Sequence, residues 1–257
     1  MKRDRILLSV VILLISLNIV LRIEHLLPYC FALFLLFTLA YRRWHVLHFA
    51  LLFLLMNLNS YYFPAFMRHL PVVSFLAPLL ISTFFILPFF GLRAPLSWAG
   101  MGGISPVIAV VILSTGLLSS AALVLWAKWS GNIDASIRIA TQFSALPRWL
   151  FFVIAAPLFA VCNAFAEEAV YRGVLQETLS RVFDRRLVIL ILQASAFAAA
   201  HYEAGFPNGI SGYLMVIIYG LVLGDLRIRT GGMLAPFLTH VLADLTIGYY
   251  VGFIVFS

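Results

Sequence analysis

The sequence predicts an all-α membrane protein, a polytopic bundle of about eight or nine transmembrane helices with a polar cavity inside the membrane. Hydrophobic residues make up 63% of the 257 residues, and Asp, Glu, Lys and Arg together only 11%. An ordinary soluble domain carries about 25% charged residues. The mean hydropathy is +1.06, and uncharged apolar stretches recur along the whole chain. These observations exclude a soluble globular fold and favour one embedded in lipid.

The predicted spans lie between charged residues, because a helix needs about 20 apolar residues to cross a hydrocarbon core of about 30 Å. The first two uncharged stretches and the seventh are short for a full crossing, and Asp244 interrupts the last. Strands are not required, since a helix satisfies its own backbone hydrogen bonds in lipid and no alternating barrel pattern is present. The stretches are residues 6–21, 26–41, 48–67, 70–92, 104–127, 149–166, 187–200, 209–224 and 231–257.

The chain divides into three regions. Residues 1–130 are predicted to form variable amino-terminal transmembrane helices, residues 131–148 a polar connecting loop, and residues 149–257 a helical core that carries the polar motifs. The net charge of +7 is what cytoplasmic loops supply in a membrane protein, so we expect no nucleic-acid role. Cys30 and Cys162 both lie in apolar stretches and offer neither a disulfide framework nor a four-thiolate metal site.

Lys and Arg counted by alternate loops predict the orientation, because cytoplasmic loops carry an excess of them. The loops on the side of the amino terminus hold more Lys and Arg than the loops on the other side. We therefore expect the amino terminus to lie inside, on a retained first helix. The four histidines nearest the predicted membrane edges, His25, His45, His48 and His69, are interpreted as interfacial anchors. The inner set is Lys2, Arg3, Arg5, Arg42, Arg43, Arg93, Arg181, Arg185, Arg186, Arg227 and Arg229, and the outer set is Arg22, Arg68, Lys128, Arg138 and Arg148.

Two adjacent carboxylates and an arginine lie within a helix predicted from Trp149 to about Leu179. A charge at membrane depth costs at least about 2.5 to 3.5 kcal/mol on insertion scales, so each needs a partner or a function. Glu168 and Arg172 are four residues apart and can pair on one helix face. Glu167 points about 100° away and needs a different partner. A purely structural ionic cluster is the alternative interpretation.

Two further helices carry histidines at a compatible depth. The three alanines before His201 allow a close helix approach, and His240 is four residues before Asp244 in a final helix that begins near Met233. His201 and His240 lie about 22 and 16 Å from the same side at 1.5 Å per residue. Glu167 comes from the other side and can meet them at a common level.

This set of residues leaves several chemistries open. A carboxylate beside a histidine can activate water, and further donors can stabilise an oxyanion, which together would hydrolyse a peptide. Zinc held by Glu167, His201 and His240 is a minor alternative, although the sequence contains no HExxH motif. A proton relay in a transporter is another. A serine nucleophile has little support, because GxSxG does not occur and Ser195 is an isolated small residue.

The segments Glu167-Glu168-x-x-x-Arg172-Gly173, Phe197-x-x-x-His201 and His240-x-x-x-Asp244 resemble the three motifs of the CPBP family. That family comprises the CAAX prenyl endopeptidases and the bacteriocin-processing, Abi-type intramembrane proteases. The order and spacing agree over residues 149–247, and the Gly-rich run at residues 219–236 resembles bacterial members. The first half of the chain carries no motif.

The resemblance implies a role for each motif residue. Glu167 would be the general base that activates the attacking water, with His201 beside it, while Glu168 and Arg172 brace the site. His240 and Asp244 would stabilise the oxyanion. Asn is frequent in the family at the position of Asp244, and an ionised carboxylate cannot donate to an oxyanion. We therefore expect Asp244 to orient and charge His240, rather than to act as a protonated donor.

The expected function is that of a glutamate-dependent intramembrane endopeptidase that cleaves a peptide or a membrane-protein tail and needs no cofactor. The compact chain resembles bacterial members, which favours peptide, bacteriocin or carboxyl-terminal sorting-signal processing in the bacterial cytoplasmic membrane. A prenylated CAAX tail is an alternative substrate, and a non-proteolytic scaffold or immunity protein is an alternative function. The expected partners are the substrate and the lipid bilayer, and no oligomeric state is predicted.

Overall fold

The computed structural model describes residues 44–62, 72–92, 96–130, 133–202 and 205–257, together with Arg5, Ile6, Ser9, Val10 and Thr38. The described residues form helices and turns without any strand, as the sequence predicts. The helices are α1 (Trp44–Tyr62), α2 (residues 72–89), α3 (Pro106–Ser130), α4 (Asp134–Thr141), α5 (Arg148–Val182), α6 (Arg186–His201), α7 (Gly209–Thr230) and α8 (Leu234–Val255).

Four of these helices, α3, α5, α7 and α8, are long and apolar enough to cross a membrane. Shorter apolar helices lie at Val46–Met56, Val73–Phe89 and Arg186–His201. The protein is therefore an all-helical membrane protein, whereas the number of eight or nine spans stays a prediction. The predicted spans at residues 6–21 and 26–41 lie almost wholly outside the described residues.

Helix α5 is continuous over 35 residues, which confirms the helix predicted from Trp149 to about Leu179. It contains π-helical turns at Phe151–Ala155 and Ala169–Leu175. Helix α2 contains two more, at Val72–Leu76 and Ser82–Ile86. A π turn changes the hydrogen-bond partners of the backbone locally and often occurs at functional sites.

Small residues bring the helices of the carboxyl-terminal half close together. Helix α8 packs against both α5 and α3, and α6 packs along α7. A Cβ atom on Gly220 would lie 3.1 Å from the Cβ atom of Ala194, and one on Gly248 would lie 3.2 Å from that of Ala156. Without side chains at these glycines the backbones approach closely. Gly224, four residues after Gly220, likewise faces α6, at Gln193 and Leu190.

Charged side chains collect at the two ends of the bundle. At one end, called the arginine end, Arg5 pairs with Asp184 at 2.5 Å, and Arg186 and Arg229 both pair with Asp225. At the opposite end α3 finishes beside Lys128 and α5 begins at Arg148. Among the described residues, the arginine end carries cations of the inner set and the opposite end carries cations of the outer set. Which side of the membrane each end faces stays a prediction.

Residues 96–103, here called the cap segment, close the arginine end of the bundle over the α7–α8 turn. The amide of Met233 donates to the carbonyl of Gly100 at 2.8 Å, and the amide of Leu234 to that of Met101 at 3.1 Å. The amide of Gly103 donates to the carbonyl of Thr230 at 3.1 Å. At the opposite end, α4 lies within the connecting loop predicted at residues 131–148 and packs on α8.

Candidate active site

The predicted ion pair within α5 is present and completely buried. Arg172 Nη1 lies 2.9 Å from Glu168 Oε1, and the two side chains are 0% and 1% exposed. The guanidinium carbon of Arg172 also stands 4.2 Å from the centre of the Phe197 ring on α6. A buried charge is tolerated when it has a partner of opposite sign and a polarisable neighbour. The contact between Arg172 and Phe197 joins α5 to α6.

The imidazole of His240 on α8 lies among three carboxyl groups. Its Nδ1 atom is 2.8 Å from Glu168 Oε1 and donates to it. Its Nε2 atom is 3.5 Å from Glu167 Oε2 and 3.7 Å from Asp244 Oδ1. The close hydrogen bond of His240 is thus with Glu168, whereas Asp244, the residue expected to orient the ring, stands beyond hydrogen-bond distance.

His201 lies at the end of α6 and faces the same carboxylate from another direction. Its Nδ1 atom is 3.1 Å from the carbonyl oxygen of Phe197, and its Nε2 atom is 4.0 Å from Glu167 Oε2. Because a carbonyl only accepts, Nδ1 is the protonated nitrogen, and in a neutral imidazole Nε2 then accepts. The ring therefore presents an acceptor towards Glu167.

Glu167, like Glu168, has one buried carboxyl oxygen without a hydrogen-bond partner among the described residues. The residue is only 6% exposed, and its Oε2 atom has no hydrogen-bond partner among the described residues. That oxygen is the one that faces both His240 and His201. The structure thus brings together all six predicted site residues, Glu167, Glu168, Arg172, His201, His240 and Asp244. Their chemical roles stay predictions.

Asp244 has a partner to which the sequence reasoning assigned no role. The side-chain amide of Asn163, on α5, donates to Asp244 Oδ2 at 3.1 Å. Asn163 precedes Glu167 by one helical turn and so shares its face of α5. The four-residue spacing of Asn163 and Glu167 in an apolar helix is the sequence signal that could have predicted a polar contact here.

Two cavities of similar size flank the cluster. One, of about 320 Å³, lies between α3, α7 and α8 and is called the α7-side cavity. The other, of about 300 Å³, lies between α2, α4, α5 and α8 and is called the α5-side cavity. Glu167 and Asn163 line the α5-side cavity, and His240 lines the α7-side cavity. The residues that line both are His201, Phe206, Asp244 and Ile247.

A second polar network supports the π turn that carries Arg172. The Nε atom of Arg227, on α7, donates to the carbonyl oxygen of Arg172 at 2.8 Å, and its Nη2 atom lies 3.6 Å from Glu177 Oε2. The side-chain amides of Gln176 and Gln193 donate to the carbonyls of Gly224 and Gly220 at 3.0 and 2.7 Å. Arg227 was counted only as a loop cation, so the sequence reasoning missed this bracing.

The structure describes His48 but not Glu203. The interpretation of His48 as an interfacial anchor is wrong. The residue is 2% exposed, and its Nε2 atom contacts the hydroxyls of Ser82 at 3.3 Å and Thr83 at 3.1 Å. Neighbouring hydroxyls let a histidine remain buried. Glu203, two residues after His201, lies outside the described residues.

Zinc held by Glu167, His201 and His240 was the minor alternative. Within the described ranges, no group of three or more His, Cys, Asp or Glu side chains is arranged to hold a metal ion. The Nδ1 atoms of both histidines are directed at protein oxygens, in His240 at Glu168 and in His201 at Phe197. Both Nε2 atoms therefore face Glu167, as they also would in a metal site, and the zinc alternative stays a prediction.

Residues 148–246 match the family model described as type II CAAX prenyl endopeptidase Rce1-like. The match covers all three motifs and confirms the resemblance to the CPBP and CAAX proteases. No curated protein and no solved structure matches the chain.

Proposed function

We propose that this chain, whose motif-bearing region matches a family of CAAX-type endopeptidases, is an intramembrane endopeptidase in which Glu167 activates water. The observation that carries the proposal is the position of Glu167 Oε2. This oxygen is buried, has no hydrogen-bond partner among the described side chains, and faces the Nε2 atoms of His240 and His201 at 3.5 and 4.0 Å. Because these distances are longer than an ordinary hydrogen bond, the oxygen remains available to a water that enters from the α5-side cavity, which Glu167 lines.

Glu167 is the proposed general base. Its carboxylate takes a proton from water while the water oxygen attacks the carbonyl carbon of the scissile peptide bond. His201 Nε2, an acceptor, helps to orient that water beside Glu167. The proton held by Glu167 then passes to the leaving nitrogen as the carbon–nitrogen bond breaks. The products are a free carboxyl group and a free amine, so one water is consumed for each bond.

His240 is the proposed donor to the oxyanion. Glu168 holds its Nδ1 atom at 2.8 Å, and when the ring is protonated on both nitrogens its Nε2 atom donates to the oxyanion. A preorganised donor in a site shielded from water stabilises a developing negative charge strongly. Arg172 takes part indirectly, because it holds Glu168 in place.

The substrate class we propose is a peptide or membrane-protein tail processed in a bacterial cytoplasmic membrane. Apolar side chains such as Leu118, Met215 and Ile218 line the α7-side cavity, which suits an apolar residue beside the scissile bond. The same lining favours a prenylated tail as the second candidate. Matched peptides with and without a farnesyl group distinguish the two, because only one should be cleaved well by the purified protein.

The test compares the wild type with Glu167→Gln and Glu167→Ala in one host. Membrane and secreted peptides are compared by mass spectrometry, and we expect at least one product to disappear in both variants. Asp184→Asn is the matched control, since it also replaces a carboxyl group by an amide, at an exposed residue of the arginine end away from the site. Unchanged processing by folded Glu167 variants would overturn the proposal and favour a scaffold or immunity protein.

A chelator distinguishes the water mechanism from the zinc alternative. We expect the purified protein to keep its rate after dialysis against 1,10-phenanthroline. Loss of the rate, with recovery on adding zinc, would contradict the mechanism.

A further inference from the structure

Asn163 is the polar residue of the cluster that the proposed mechanism does not use. It lies on α5 one turn before Glu167, and its Nδ2 atom donates to Asp244 Oδ2 at 3.1 Å. Asp244 is 4% exposed, and the hydrogen bond is partly buried. Asn163, Glu167 and Asp244 all line the α5-side cavity. The contact therefore joins α5 to α8 at the level of the site.

The two oxygens of Asp244 have different surroundings. Oδ2 accepts from Asn163, and Oδ1 faces His240 Nε2 at 3.7 Å. A carboxylate held at one oxygen cannot rotate freely about its Cβ–Cγ bond, so its second oxygen keeps a fixed direction. The direction that Asn163 enforces is the one in which Oδ1 faces the proposed oxyanion donor.

The amide is suited to this position because it donates a hydrogen bond without adding a charge. A lysine or arginine there would neutralise Asp244 and draw it away from His240. An apolar residue would leave a buried carboxyl oxygen without a donor, which is costly. With an amide, Asp244 keeps its charge for the imidazole and remains fixed.

We propose that Asn163 is a positioning residue of the reaction, which holds the Asp244 carboxylate so that its Oδ1 atom faces His240 Nε2. The proposal rests on the proposed function, since it concerns the geometry of the same oxyanion donor. Asn163 acts through Asp244 and His240. Because Asn163 also contacts Glu167, the recovery of kcat in the double exchange, rather than the loss in Asn163→Ala alone, distinguishes an effect through Asp244 from a direct effect on Glu167.

The experiment exchanges the two residues. The variants are Asn163→Ala, Asn163→Asp, Asp244→Asn and the double exchange Asn163→Asp with Asp244→Asn. Each is purified, checked for its thermal unfolding midpoint, and assayed for kcat and KM on the peptide whose processing depends on Glu167. Ser120→Ala is the matched control, because Ser120 bonds Thr246 at 2.6 Å between α3 and α8 outside both cavity linings.

Asn163→Ala should lower kcat about 10- to 100-fold with KM within about twofold of the wild type, as expected for misplacement of a reacting group. Asn163→Asp should lose more, because two carboxylates then face each other. The double exchange restores one donor and one acceptor and should recover at least about tenfold over Asn163→Asp. Ser120→Ala should keep the wild-type kcat.

Three results would overturn the proposal: wild-type kcat in Asn163→Ala, a double exchange no faster than Asn163→Asp, or an equal loss in Ser120→Ala. Glu167→Gln in the same assay separates this failure from that of the function. An active Glu167→Gln enzyme contradicts the proposed function itself. An inactive Glu167→Gln enzyme beside a fully active Asn163→Ala enzyme contradicts only the role of Asn163.

Discussion

Glu168 Oε1 lies 2.8 Å from the Nδ1 atom of His240, and the same oxygen lies 2.9 Å from Arg172 Nη1. One carboxyl oxygen thus contacts a ring on α8 and a guanidinium within α5. The neighbouring Glu167 contacts neither group as closely. Two adjacent acids therefore have separate surroundings, and they should respond differently to the same substitution.

Glu167→Gln should abolish turnover without affecting stability. Removing the general base lowers kcat about 10²- to 10⁴-fold, while no close ion pair of Glu167 is lost. Glu168→Gln should instead lower the unfolding midpoint, because Arg172 would keep a buried charge without its carboxylate. Thermal unfolding in detergent and single-turnover rates measure the two effects. Equal loss of stability in both variants would contradict the separation.

His240→Ala should leave no measurable turnover, whereas Asp244→Asn should retain a measurable rate. The alanine variant loses the proposed oxyanion donor, and loss of one such donor costs about 10²- to 10³-fold in kcat. In Asp244→Asn the single side-chain oxygen can still accept from Asn163, and the amide nitrogen then takes the position of Oδ1 beside His240. The measurement is kcat of both purified variants at one pH. A fully active His240→Ala enzyme would contradict the assignment.

Arg172→Lys should be strongly destabilising although the charge is kept. The guanidinium of Arg172 is flat, fully buried and placed over the Phe197 ring at 4.2 Å, which an ammonium cannot reproduce. Breaking a buried pair costs about 3 to 5 kcal/mol, so most of the protein should unfold during purification. Arg181→Lys is the control, since Arg181 pairs with Glu177 on a partly exposed surface. Similar yields of both variants would argue against this role.

Gly232→Ala should loosen the cap segment. A Cβ atom there would lie 2.1 Å from the amide nitrogen of Gly102, which is backbone and cannot move aside alone. Overpacking of this kind costs about 1 to 3 kcal/mol. Gly103→Ala is the control, because nothing lies within 4 Å of its added Cβ. Limited proteolysis between α2 and α3 should be faster in Gly232→Ala alone. Equal protection in both would be inconsistent with this packing.

Helix register predicted much of the site. The four-residue spacings place Glu168 beside Arg172, and depths counted from the helix ends bring Glu167, His201 and His240 together. These inferences succeed because an α-helix has a fixed rise and turn. They need only the positions of a few charges in an apolar background.

Other features depend on geometry that a regular helix does not contain. The π turn at Ala169–Leu175 alters the backbone near Arg172, whose carbonyl accepts from Arg227, and uniform 3.6-residue counting gives no sign of it. His48 was misplaced because burial depends on the hydroxyls of Ser82 and Thr83 on another helix. The two cavities arise from packing between helices distant in sequence, which periodicity does not describe.

Helix α6 has 16 residues, from Arg186 to His201, and so measures about 24 Å against a hydrocarbon core of about 30 Å. It begins at the arginine end and stops at His201, short of the opposite surface. The rest of the hydrocarbon depth is left to the segment containing Phe206 and Pro207. These two residues line the α7-side cavity. Irregular backbone at that depth requires shielding by protein or a wet cavity. We therefore expect the cavities beside His201 to contain water, which the proposed hydrolysis consumes.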